Sequence, residues 1–334
     1  MRPNDVPPPE GNWRLFRGDG EPREPVMPPA PPWRRFTGVP RAEDQAEAAS
    51  QSPPEPPPVP RYLISPKHAD VVNAALHLRR PLLVTGSPGT GKSSLAWAVA
   101  RELGLGDVLR WPINSRSTVQ EALYRYDAVG RLRETALQRE QGEYGPGIGS
   151  FVRLGPLGTA LAPRSRPRIL LIDELDKGDI DLPNDLLTVF EEGEFEIPEL
   201  ARLREEESAI DVATDHAGET TTVVRGNVRC TEFPVVVITS NGERDFPPAF
   251  LRRCVPLQLP TPDEEMLRAI VTAHLGAGVL AESEDLLESF LQRRAPGELA
   301  TDQLLNAVFL RTSGADLSAD DLLDSVLHQL GGTV

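Results

Sequence analysis

Residues 82–94 read Leu82-Leu83-Val84-Thr85-Gly86-Ser87-Pro88-Gly89-Thr90-Gly91-Lys92-Ser93-Ser94. An apolar run leads into G-x-x-x-x-G-K-[ST], and a helical pattern follows, with Leu95, Val99 and Leu103 on one face and Gly104 as its stop. Strand, loop and helix in this order are the context in which the motif cradles phosphate. Gly86, Ser87, Pro88, Gly89, Thr90, Gly91, Lys92, Ser93 and Ser94 are therefore the candidate phosphate-binding residues. Glycine lets backbone N–H groups turn inward, and the positive end of the following helix adds to their field. Lys92 is expected to reach the β- and γ-phosphates of a nucleoside triphosphate and Ser93 to ligate Mg²⁺.

Downstream, Ile169-Leu170-Leu171-Ile172 reads as a buried central strand ending in two carboxylates, Asp173, eighty residues after Ser93, and Glu174. The C-terminal ends of strands are where doubly wound folds place ligands. Asp173 is expected to hold Mg²⁺, and Glu174 to orient and deprotonate an attacking water. Further strands are expected at Leu82–Thr85, Val108–Trp111, Val235–Ser240 and Val255–Leu259, alternating with helices such as the one carrying Leu186, Leu187 and Phe190 before Gly193. This alternation predicts an α/β layer fold with a five-stranded parallel sheet. After Pro262 the strands stop, and amphipathic segments follow near 262–276, 282–294, 300–312 and 318–330. Thr261, Pro262 and Glu264 fit an N-cap, a proline at N1 and a capping-box glutamate. The predicted organisation is a tail over 1–60, an α/β core over 61–260 and a small all-helical domain over 261–334.

Of 34 prolines in the 334-residue chain, 17 fall in the first 60 positions, where aliphatic residues are few. That segment is expected to be disordered, with stretches of polyproline II. It contains a repeat: Trp13-Arg14-Leu15-Phe16-Arg17-Gly18 and Trp33-Arg34-Arg35-Phe36-Thr37-Gly38 share W-R-x-F-x-G, twenty residues apart. Two readings stand: a pair of docking motifs for a partner, or a duplication in a low-complexity tail. The tail carries 7 basic and 9 acidic side chains, so residues 61–334 carry 28 basic and 41 acidic of the net charge of −15. An acidic body disfavours nucleic acid and anionic membrane surfaces as partners. Cys230 and Cys254 stand apart from any metal-ligand spacing and are expected to be buried thiols. No apolar leader and no run near the ~18 apolar residues of a membrane helix is read, so a cytoplasmic protein is expected.

The strand Val235–Ser240 runs into Asn241, and Phe246-Pro247-Pro248-Ala249-Phe250-Leu251-Arg252-Arg253-Cys254 leads into the last strand. Over roughly residues 61–312 this ordered set of motifs resembles the AAA+ ATPases, and within them the MoxR-like group. The resemblance implies a P-loop NTPase αβα sandwich followed by a helical lid. It makes Asn241 the sensor-1 residue that aligns water beside Glu174. It makes Arg253 the arginine finger that enters a neighbouring subunit's site, with Arg252 as rival and Arg244 as a more distant one. A planar, permanently charged guanidinium suits that task. Leu63 and Ile64 lie where related proteins pack adenine, or else belong to the core. Phe151-Val152-Arg153-Leu154-Gly155-Pro156-Leu157 resembles the F-x-F-x-x-G-P-I-F element that closes an insertion, and 193–234 resembles an elongated hairpin. Residues 191–219 hold 11 acidic and 2 basic side chains, a solvated acidic loop or a face for a basic or polar partner. The family's sensor-2 arginine is absent from the best-matching stretch, Ala300-Thr301-Asp302-Gln303-Leu304-Leu305, which offers Asp302; Arg293, Arg294 and Arg311 are the substitutes.

The resemblance implies a Mg²⁺-dependent ATPase working as a homo-oligomeric ring, expected to be a hexamer, that remodels a protein client with a partner bearing a von Willebrand A-type domain. The alternative is a nucleotide-gated assembly or defence switch with slow hydrolysis. A nucleic-acid motor shares the core but calls for basic loops, and the charge speaks against it.

Overall fold

The computed structural model describes residues 13–34, 36–39, 62–141, 147–204, 208–293, 299–315 and 320–327. Strands, numbered in chain order, form two sheets. The first comprises β1 (Leu82–Thr85), β2 (Leu109–Pro112), β5 (Ile169–Asp173), β10 (Val235–Ser240) and β11 (Val255–Gln258), all parallel, in the order β11-β1-β10-β5-β2. Strand bounds lie within a residue of those expected. Alternate residues of β5 enter different apolar clusters: Leu170 and Ile172 pack with Trp111, Phe190 and Val236, whereas Ile169 and Leu171 pack with Val84, Leu95, Val99 and Leu103. Apolar side chains on both faces are what a parallel sheet covered by helices requires.

Helix α1 (Pro66–Leu78) starts where Ser65 Oγ accepts from the His68 N–H, and α2 (Ser94–Leu103) follows the glycine-rich loop. Gly104 ends α2 at φ 60°, and Gly193 ends α6 (Leu182–Glu192) at φ 65°, so both expected glycine stops hold. Between β2 and β5 lie α3 (Val119–Leu123), α4 (Ala128–Gln141) and α5 (Pro156–Leu161).

The second sheet has the order β3-β4-β7-β8-β9-β6. Its strands are β3 (Tyr124–Tyr126), β4 (Val152–Leu154), β6 (Glu194–Glu196), β7 (Ala209–Ala213), β8 (Thr220–Val224) and β9 (Asn227–Arg229), with α7 (Pro198–Ala201) after β6. The stretch expected to be one long hairpin is thus part of a six-stranded layer. Arg153 of β4 pairs with Ala213 of β7, and its guanidinium donates to Thr214 O at 3.0 Å, which joins the hairpin to the insertion.

Helix α8 (Pro248–Leu251) precedes β11, and α9 (Glu264–Leu275), α10 (Ala277–Ala281), α11 (Glu284–Arg293), α12 (Thr301–Thr312) and α13 (Asp320–Val326) follow it. They close around Leu267, Val271, Phe290, Leu304 and Val308. The cap of α9 is Asp263, whose carboxylate accepts from the Met266 N–H at 2.8 Å, and not Thr261. A carboxylate at this position answers the free N–H groups and the positive helix end together, leaving Pro262 outside the helix. No helix among the described residues is long and apolar enough to cross a membrane. Cys230 and Cys254 are free and buried, as expected.

Residues 13–34 and 36–39 correct the expectation of a disordered tail; the remainder of 1–60 lies outside the described residues. Phe16 is fully buried beside α1 and α2. Buried Asn73 accepts from the N–H groups of Leu15 and Phe16 at 2.7 and 2.9 Å and donates to Phe16 O. Buried Glu102 accepts from the N–H groups of Arg17 and Gly18 and pairs with Arg23, while Arg14 forms two bonds to Asp70. In the second copy, Phe36 stacks on Phe233 at 5.1 Å, Arg34 is buried, and the Gly38 N–H donates to Cys230 O. Each phenylalanine is anchored in the body and each closing glycine lies against it, at Ile64 and at Cys230 respectively. Both copies are therefore docked on the chain's own core. Composition missed this because the core supplies the buried polar partners that the segment itself lacks.

Candidate active site

The loop between β1 and α2 is held from two sides. A Cβ at Gly86 (φ 152°) would lie 2.7 Å from Leu259 O, and one at Gly89 (φ 73°) would lie 2.5 Å from Ala300 Cβ. Only glycine admits that closeness and leaves the backbone N–H groups turned inward. Thr90 Oγ1 donates to Ser87 O at 2.9 Å. Lys92 is buried, and its ammonium curls over the loop to Gly86 O and Ser87 O at 2.7 and 2.8 Å. Burial pulls the Lys92 pKa below its usual value, against the raising influence of Asp176, Glu174 and Asp173. Pro88 and Gly89 form the exposed tip, and Ser94 is exposed at the start of α2.

At the end of β5 the two carboxylates diverge. Asp173 Oδ1 accepts from Ser93 Oγ at 2.6 Å and from Thr239 Oγ1 at 2.9 Å, and Oδ2 accepts from Arg110 at 2.8 Å. Burial works to raise the Asp173 pKa, but the bonds from Ser93, Arg110 and Thr239 and the Arg110 charge outweigh it, holding the carboxyl below its usual range. Glu174 leaves the strand at φ 60°, and its N–H donates to Thr239 Oγ1 at 2.8 Å. Its carboxylate accepts from Lys177 Nζ at 2.8 Å and, more weakly, from Asn241 Nδ2 at 3.4 Å. Asp176 fixes the Asn241 loop: its buried carboxylate accepts from the N–H groups of Asn241 and Glu243 at 2.9 and 3.1 Å.

The structure therefore brings Lys92, Ser93, Asp173, Glu174 and Asn241 into one constellation. Thr239, Asp176, Lys177 and Arg110 join it without having been singled out from sequence. The signal for Asp176 and Lys177 was the run Asp173-Glu174-Leu175-Asp176-Lys177, charged at four of its five positions. Magnesium is bound through one or two protein oxygens together with phosphates and water. Ser93 Oγ and Asp173 Oδ1 converge as such a pair, and among the described residues no cluster of three or more His, Cys, Asp or Glu competes for a cation.

Other candidates lie apart. Arg253 is bound to Glu191 and to Ala249 O at 2.5 and 3.0 Å, and Arg252 is exposed, its carbonyl accepting from Arg80. Arg244 donates to Gly178 O. Leu63 and Ile64 are both half-buried, Ile64 packed against the core beneath Gly18 of the N-terminal segment. The residue beside Gly91 is instead Tyr62, whose phenol pKa burial drives up. In the lid, Ala300 and Thr301 face the loop while Asp302 is exposed. Arg293 pairs with Asp324 and Arg311 with Asp285; Arg294 lies outside the described residues.

The family model of the AAA domain, dynein-related subfamily, matches residues 81–254, just over half of the chain, from the residue before β1 to the residue before β11. The chain belongs to this family. That membership makes it a nucleotide-binding AAA+ P-loop NTPase, of a class whose ATP-dependent activity serves remodelling or regulation. No curated protein matches this AAA+ chain. Among solved structures, NtrX from Brucella abortus in complex with ADP matches at 18% identity and a TM-score of 0.36 over 74% of this chain. The chain spans about half of that structure, 49% of its length.

Proposed function

We propose that this AAA+ chain is a Mg²⁺-dependent ATPase, working as a MoxR-like hexameric ring that remodels a protein client. The observation that carries the proposal is the divided strand end, where Asp173 is joined to Ser93 while its neighbour Glu174 meets Asn241. The loop N–H groups and Lys92 bind the triphosphate of ATP. Ser93 Oγ and Asp173 Oδ1 would hold Mg²⁺, which supplies charge neutralisation on the phosphates when bound. Glu174 accepts the proton of the attacking water at a carboxylate oxygen, and the Asn241 amide orients that water. Lys177 Nζ donates to the Glu174 carboxylate at 2.8 Å and steadies its position. Arg253 serves as the finger for the next subunit. The six-fold ring, the client and a von Willebrand A-type partner rest on the resemblance to the MoxR-like group.

Glu174→Gln tests this reading. The variant is expected to bind ATP as the wild type does and to lose turnover by roughly 10²-fold or more, the usual worth of a general base. Wild-type turnover in Glu174→Gln would remove Glu174 from the reaction. One observation favours a slower, switch-like enzyme: Arg293 and Arg311 are tied to lid carboxylates. A burst of one ATP per subunit followed by near-arrest would support that second reading.

A further inference from the structure

Arg34, from the second W-R-x-F-x-G copy, lies in the body of the core. Its guanidinium donates to Phe190 O at 2.9 Å and to Arg79 O at 2.6 Å, and lies over the rings of Phe36 and Phe233 at 5.3 and 4.9 Å. A buried guanidinium held at this many points has little freedom to move. Its carboxylate neighbour is Glu191, in the last turn of α6, with Oε2 at 3.8 Å. The other oxygen of Glu191 accepts from Arg253 Nε at 2.5 Å.

Glu191 itself is about half exposed, and alone such a side chain would sample several rotamers. Arg34 restricts that choice by attracting one oxygen, which leaves the other aimed at Arg253. The Arg253 guanidinium is then held at two points, at Nε by Glu191 and at Nη1 by Ala249 O. An Arg side chain has five N–H donors. Among the described residues nothing bonds the two N–H groups on Nη2 or the second on Nη1, which leaves them for a phosphate outside the subunit.

We propose that Glu191 and Arg34 are positioning residues for Arg253, a relay by which the N-terminal segment sets the geometry of the finger. The proposal rests on the reading of Arg253 as the residue that acts on a neighbour's nucleotide. It also gives the second copy of the repeat a role in turnover beyond its role in packing.

The test uses the full chain, with steady-state ATP turnover measured alongside oligomer size and melting temperature. Glu191→Gln keeps the shape and removes the charge; it is expected to lower kcat by roughly 10-fold to 100-fold, the scale of a misplaced reacting group, with KM for ATP within about twofold. In an Arg253→Ala background the same substitution is expected to cost nothing further, because the two act as a unit. Arg34→Lys keeps the charge and loses the fork and the stacking. It is expected to lower kcat at unchanged KM only while Glu191 is present. Wild-type kcat in Glu191→Gln beside an inactive Arg253→Ala would overturn the relay and leave the finger standing. Full turnover in Arg253→Ala would remove the finger and the relay with it. A loss in Glu191→Gln that persists undiminished in the Arg253→Ala background would show a general structural effect and likewise overturn the relay.

Discussion

Glu174 is one of three non-glycine residues at positive φ among the described residues, with Arg79 and Arg225. The left-handed conformation costs such a residue on the order of 1 kcal/mol, and the bond from its N–H to Thr239 Oγ1 offsets that cost. The turn separates two adjacent carboxylates, so that Asp173 keeps to Ser93 while Glu174 reaches Asn241. A second residue-scale consequence concerns the thiols. Burial pushes Cys230 and Cys254 up to about 12, against roughly 8.5 in an unfolded chain. Between those values the unfolded chain has released protons that the folded chain keeps, so stability falls as pH rises above the unfolded value, by up to about 1.4 kcal/mol per thiol per pH unit. Urea unfolding at pH 8 and pH 9.5 is expected to show a smaller loss of stability in Cys230→Ala/Cys254→Ala than in the wild type; equal losses would contradict burial of the thiols. Lys92, Ser93, Asp173 and Glu174 were legible because each stands in a local pattern, the glycine-rich loop or the end of an aliphatic strand, whereas Asn241 was singled out only through the resemblance to the AAA+ ATPases. Thr239 was not legible, because its importance arises only when the β5–β10 register, with Ile238 opposite Ile172, sets its hydroxyl beside Asp173.

The elements fall into those whose signal is local and those whose signal is not. The five core strands and the helix stops at Gly104 and Gly193 were readable, since a run of aliphatics or a glycine after an apolar face suffices. Strands β3, β4, β6 and β9 have three residues each, too few for alternation to emerge, and they exist through pairing with distant segments. The N-terminal segment was misread for the same reason: Asn73 and Glu102, its buried partners, lie more than fifty residues away in α1 and α2. Phe16→Ala is expected to destabilise the chain by about 3–5 kcal/mol, the cost of emptying a fully buried aromatic site. Trp13→Ala, at a side chain 50% exposed, is expected to cost far less. Urea unfolding of the two variants checks this, and equal midpoints would mean that the segment is not docked in solution.

Taken whole, the chain places its glycine-rich loop between a parallel sheet and a helical lid, with Gly89 against Ala300 and Thr301. The α/β core and the helical C-terminal region were legible from the order of strand, loop and helix. The contact between lid and loop was not, because residues more than two hundred positions apart make it. Within an acidic body, Lys92 and the N-terminal end of α2 supply the loop with positive charge for a polyanion. The most direct measurement is calorimetric titration of the full chain with ATP, with Mg²⁺ and again with excess EDTA. Saturable uptake approaching one ATP per subunit is predicted with Mg²⁺, weaker uptake in EDTA, and none in Lys92→Ala; absence of uptake by the folded, Mg²⁺-supplied wild type would contradict the account.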